Sequence, residues 1–103
     1  MICEKTRIIT ETTIEEEILL DQTYSVIIHN DDTTLINIVI SILQEVFGKS
    51  LGESLKIIDI AQTEGKAVVC SGNSYFEANK KVLKANEISK DYDCDLKFTI
   101  EEE

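Results

Sequence analysis

The sequence predicts an α+β domain in the order β-α-α-β-α-β, a three-stranded antiparallel sheet covered by three helices. Three observations carry that expectation. Short β-branched runs alternate with longer segments of helical apolar spacing. Two Ser-x-x-Glu signatures and two glycines bracket the helical segments. The last apolar run alternates strictly, as a strand does when only one face meets a core. Three strands with one apolar face need cover, and the helices are the available cover.

The elements follow in order. "TYSVIIH" (23–29) is short, β-branched and aromatic, hence the first strand. "TLINIVISILQEVFG" (34–48) predicts a helix with Thr34 as N-cap, Gly48 as stop, and Leu35, Ile38, Val39, Ile42, Leu43 and Val46 on its buried face. "SLGESLKIIDIAQTEG" (50–65) opens with Ser50 and Glu53 in capping-box spacing and stops at Gly65; Leu51, Leu55, Ile58 and Ala61 or Gln62 share one face. "KAVVCSG" is the second strand. "SYFEANKKVLKANEISK" is the third helix, opened by Ser74 and Glu77, and "DLKFTIE" closes the sheet. Residues 1–22, rich in Glu and Thr, read as a flexible acidic arm, in which Ile14, Ile18 and Leu19 retain some capacity to dock; residues 23–103 form the one domain.

Charge and composition exclude several functions. A net charge of −10 argues against nucleic acid, whose phosphates require clustered Lys and Arg, and suits a cationic partner. Cys3, Cys70 and Cys94 are far apart without a CxxC pair, as expected of reduced thiols in the cytoplasm. No segment has the apolar length of a membrane span, and the first twenty residues lack the pattern of a signal peptide. His29, Asp31 and Asp32 lack the spacing and companions of a metal site. With one histidine and no glycine-rich phosphate loop, the chain offers no nucleophilic or phosphoryl-transfer machinery, so neither an enzyme nor a cofactor is expected.

Binding remains. "HNDD" interrupts the chain between a strand and a helix, where turn chemistry alone would account for Asn and Asp. Turned outward, the Asp31 carboxylate and the Asn30 amide oxygen would accept charge-assisted hydrogen bonds from an ammonium group. Thr34, Ile36 and Val39 of the first helix and Ile58 and Ala61 of the second would supply an apolar slot beside them. An amine next to a hydrophobic side chain matches that combination, and a peptide N-terminus is such a ligand.

"VIIHNDDTTLINIVISILQEVF" followed by "QTEGKAVV" resembles the ClpS family, adaptors that bring N-degron substrates to the ClpAP protease. The resemblance runs from about Tyr24 to Glu101. It implies that Asn30 and Asp31 grip the substrate's α-amino group and that Asp32, the second acidic position of the motif, either orients the loop or contacts the amine directly. It further implies that Thr34, Ile36, Val39, Ile58, Ala61 and Leu96 line the pocket for a first side chain such as Leu, Phe, Tyr or Trp. Lys81 would lie near the surface that docks on the N-terminal domain of the ClpA unfoldase, and the arm would be the extension engaged during delivery. A monomer is expected. Three positions depart from the family pattern: Gln62 stands where a histidine usually helps hold the amine, Leu35 replaces a proline, and Ile36 replaces a methionine. Two readings follow, a working adaptor of altered specificity or affinity, and a ClpS-like module that docks on a AAA+ unfoldase or another partner without reading N-termini.

Overall fold

The computed structural model describes residues 22–103, so the expected acidic arm lies outside the described residues except for Gln22. The elements are β1 (Tyr24–His29), α1 (Ile36–Phe47), α2 (Leu51–Glu64), β2 (Lys66–Asn73), α3 (Tyr75–Asp91) and β3 (Lys97–Glu102). The sheet order is β2-β1-β3 with both pairings antiparallel, which is the expected architecture. β1 is central and carries the apolar run Val26-Ile27-Ile28, all buried. Val26 and Ile28 point to the helical side, where Ala67 and Val69 of β2, Phe98 of β3 and the inner faces of the helices join them in one core. Phe98 stacks on Phe47 of α1 at 5.6 Å, which joins the sheet to the helical layer.

Local signals set most helix ends. Ser50 and Ser74 each accept from the backbone N–H of the glutamate three residues on, and Glu53 and Glu77 reach back to the serine N–H. Gly48 and Gly65 close α1 and α2 in the left-handed conformation, with φ of 65° and 91°.

Two details differ from the sequence expectation. The N-cap of α1 is Leu35, exposed and without a side-chain cap, one residue later than expected, and the Thr34 hydroxyl donates to the Asp31 carboxylate. The buried face of α2 is Ser54, Ile57, Ile58 and Ala61, while Leu51 and Leu55 are about half exposed. Both sets satisfy helical spacing, so periodicity cannot choose between them. Ser54 is tolerated inside because its hydroxyl donates to the Ser50 carbonyl at 2.8 Å.

The β1–β2 pairing shifts register twice, between Tyr24 and Val26 and between Val26 and Ile27, and one edge of the sheet is protected. Tyr24 pairs with Asn73 and Val26 with Cys70, so Ser71 and Gly72 bulge opposite Ser25, and Gly72 takes a φ of 70°. The Gly72 N–H donates to the Glu103 carboxylate at 2.6 Å, which also accepts from Ser25 Oγ (2.9 Å) and Thr23 Oγ1 (2.7 Å). These donors, the Gly72 N–H foremost and then the Thr23 and Ser25 hydroxyls, lower the Glu103 pKa. The clasp therefore contributes above the ordinary glutamate range and is lost as pH falls through the lowered value.

On the outer edge of β3, Asn86 of α3 takes the place of another strand. Its Nδ2 donates to the Phe98 carbonyl at 3.1 Å and its Oδ1 accepts from the Phe98 N–H at 2.9 Å. Asn86→Ala strands both backbone groups in a half-buried setting and should cost about 1–3 kcal/mol, read as a lowered urea midpoint. An unchanged midpoint would mean that water replaces the amide at no cost.

Candidate functional site

The site begins with a backbone bond. Where β1 ends, the Asn30 N–H donates to the Gly65 carbonyl at 2.9 Å, fastening the strand exit to the turn that closes α2. That bond sets the last turn of α2, with Ala61 and Gln62, beside the loop 30–35. The β1–β3 register pairs His29 with Lys97, which brings Leu96 alongside the same corner. A small cavity, partly open to solvent, lies between them. Its inner wall is Ile28 of β1, Val39 of α1, Ile58 and Ala61 of α2, and Leu96, all buried. Its mouth is formed by His29, Asn30, Asp31, Thr34, Gln62 and the half-exposed Ile36.

The mouth is anionic, and its acceptors are held in place. Asp31 accepts from Thr33 Oγ1 at 3.2 Å on one oxygen and 3.0 Å on the other, and from the Thr34 hydroxyl. The Thr34 hydroxyl bond is the main cause that lowers the Asp31 pKa; desolvation opposes it, and the Thr33 hydroxyl and the backbone N–H groups of both threonines add to it. The carboxylate is thus ionised at neutral pH. Asn30 donates its Nδ2 to Asp32 Oδ1 at 3.1 Å, which orients the amide and leaves its Oδ1 as an acceptor. Gln62 is exposed and lines the same cavity. His29 contributes to the lining, but its ring nitrogen Nε2 is paired with Thr99 Oγ1 at 2.7 Å across the sheet.

Asn30, Asp31, Thr34, Ile36, Val39, Ile58, Ala61, Gln62 and Leu96 therefore share one cavity. Asp32 does not line it and acts on it through Asn30. Lys81 lies elsewhere, half-buried on α3, beside a surface groove that it shares with Glu45, Val46, Glu77, Lys80 and Lys84. Sequence reasoning missed Ile28, whose inward register was readable from strand alternation, and Thr33, whose position two residues after Asp31 is a common side-chain turn pattern. Among the described residues, no three His, Cys, Asp or Glu side chains gather where they could share a metal ion. Among the same residues no helix is long and apolar enough to cross a membrane.

The fold and site define a small α+β domain whose apolar cavity opens through an anionic mouth. The model of one protein family, "ATP-dependent Clp protease adaptor protein ClpS", matches residues 20–99. The ATP-dependent Clp protease adapter protein ClpS of Desulforapulum autotrophicum is 32% identical over 94 residues, covering 91% of this chain and 89% of that protein. The ClpS of Shewanella denitrificans is 30% identical over 92 residues, covering 89% of each. Among solved structures, Agrobacterium tumefaciens ClpS2 bound to L-phenylalaninamide superposes with a TM-score of 0.76 at 30% identity, covering 80% of this chain and 98% of that one. The chain belongs to the ClpS family, whose members are adaptors of the Clp protease and not catalysts.

Replacing the Thr34 hydroxyl by a methyl removes the main cause of the Asp31 shift. Thr34→Val should raise the Asp31 pKa toward the ordinary aspartate value, measured by a carbon-13 carboxyl titration. By linkage, the stabilisation from this bond is present above the ordinary range and lost as pH falls through the lowered value, so the variant should show a weaker acid dependence of stability. An Asp31 titration identical to that of the parent would assign the shift to the backbone N–H groups instead.

Proposed function

We propose that this chain is a substrate adaptor that binds proteins carrying a bulky hydrophobic N-terminal residue and hands them to a ClpA-type AAA+ unfoldase. One observation carries the reading: the ionised Asp31 and the oriented Asn30 amide stand at the mouth of a cavity whose inner wall is wholly apolar. Such a site satisfies an ammonium group and a hydrophobic side chain that are one carbon apart. The similar ClpS2 structure, solved with L-phenylalaninamide, offers that combination in its ligand and supports the same reading. In this assignment the first side chain fills the space between Ile28, Val39, Ile58, Ala61 and Leu96. The α-amino group meets Asp31 Oδ1, Asn30 Oδ1 and Gln62 Oε1, while Thr34 and Ile36 flank the opening. The Asp31 contact is charge-assisted and the other two are ion–dipole bonds.

The binding energy divides accordingly. Burial of a Leu or Phe side chain supplies about 1.5–3 kcal/mol. A hydrogen bond to a charged group supplies about 1.5–3 kcal/mol. Acetylation removes the charge and adds bulk at the mouth. Delivery is assigned to the α3 surface around Lys81, which lies away from the cavity and stays free when the cavity is filled.

A second reading, a module that docks on an unfoldase or another partner without reading N-termini, has one observation in its favour. Gln62 is exposed and long, and ordering its side chain against an amine costs entropy that a histidine would not lose to the same extent.

A fluorescence-anisotropy titration decides between them. A peptide with a free N-terminal Phe or Leu should bind, and its N-acetylated form should bind at least tenfold more weakly. Equal weak binding of both would establish the second reading. In the same assay Gln62→His should tighten the free peptide by several-fold; a loss of affinity would place residue 62 outside the amine's reach.

A further inference from the structure

We propose that the acidic segment Glu11–Asp21 of this chain docks on the outward face of α3, covering Phe76, Lys80, Leu83 and Lys84. Those four positions share one side of the helix at spacings of four, seven and eight residues from Phe76. Phe76 is 74% exposed and Leu83 62%, so this face of the helix presents two large apolar side chains to solvent. Lys80 and Lys84 interleave with them, with Glu87 in the same groove, and Lys81 adds a third cation at the groove toward α1, which Glu45 and Glu77 also line. Among the described residues the only ion pair is Lys66–Glu101, so these lysines have no carboxylate within 4 Å there. A basic, apolar strip of this kind is conspicuous on a chain with a net charge of −10.

The complementary sequence is in the chain itself. Residues 11–21 read "ETTIEEEILLD": five carboxylates, no Lys or Arg, and four large aliphatic side chains. Opposite charges and matched apolar content select this segment over a second copy of the domain, whose lysines would face lysines. The tether is also short enough. The described chain begins at Gln22, and Tyr24 packs edge-on against Tyr75, the first residue of α3, at 5.3 Å. The described chain thus begins beside the end of α3 where Phe76 lies. From Tyr75 to Leu83 the helix rises about 12 Å. Nine residues, 14–22, span up to about 30 Å when extended, so Ile14 and Glu15–Glu17 reach the whole strip. The tether makes the contact intramolecular, so modest contacts suffice for occupancy.

The consequence is regulatory and rests on the proposed delivery role of the Lys81 surface: a docked segment shields that side of α3 until a partner displaces it. The docking itself is read without any unfoldase or substrate. In the full chain at low ionic strength, the triple substitution Glu15→Lys, Glu16→Lys and Glu17→Lys should shift the backbone amide resonances of Phe76, Lys80, Leu83 and Lys84. Raising the parent protein to 0.5 M salt should move the same resonances in the same direction, because screening weakens surface charge pairs. Adding Lys80→Glu and Lys84→Glu to the triple variant should restore parent-like protection of the segment against proteolysis. Amide changes confined to residues 11–25 would overturn the proposal, and so would α3 shifts that scale with protein concentration, since those would place the segment on a neighbouring molecule.

Discussion

One backbone hydrogen bond organises the functional end of this domain: the Asn30 N–H on the Gly65 carbonyl. A strand exit and a helix terminus each carry polar groups that must find partners, and here they satisfy each other. The bond requires α2 to end where Gly65 can turn left-handed, and it draws the loop 30–35 over the last turn of that helix. Without it the apolar wall from Ile58 and Ala61 and the polar loop from Asn30 and Asp31 would be features of separate elements. With it they form one cavity. Leu96 completes the wall because the β1–β3 register ends at the same corner.

The two halves of the site meet different physical demands. The inner wall is built from core residues, so its shape is held by the packing that stabilises the fold and changes little on filling. The mouth is a short loop, and its order comes from side chains that bind each other. Thr33 and Thr34 hold Asp31, and Asp32 holds Asn30. This is preorganisation: acceptors aimed and ionised before a ligand arrives do not lose freedom when it binds. The helix start is compatible with this, since Thr34 stands one residue ahead of the cap position that the exposed Leu35 occupies. Gln62 is the exception, the one mouth residue without a fixed orientation from its neighbours.

Most of the fold was legible because its signals are local. Ser50 with Glu53, Ser74 with Glu77, and the two helix-ending glycines declare their elements within a few residues. What periodicity could not resolve was which of two equally spaced faces of α2 turns inward, because that depends on the sheet and α1, not on α2. The Thr34 cap failed because the helix starts one residue later, with Leu35 in the N-cap place, so the Thr34 hydroxyl lies ahead of the cap and donates to the Asp31 carboxylate. At the site, the corner residues and the apolar slot followed from residue chemistry. Leu96 followed only from the family resemblance, since its place at the cavity arises from strand pairing across some seventy residues of chain. Ile28 and Thr33 were within reach of strand alternation and turn chemistry and were not taken.

The central claim is that an ammonium group and its neighbouring side chain enter this one cavity together. Titrating the nitrogen-15-labelled protein with L-phenylalaninamide tests it most directly. The account predicts saturable shifts at Asn30, Asp31, Thr34, Ile36, Ala61 and Gln62, with the side-chain amides of Asn30 and Gln62 among the largest. Shifts confined to the α3 surface around Lys80 and Leu83, or none at concentrations that saturate a hydrophobic dye, would contradict it.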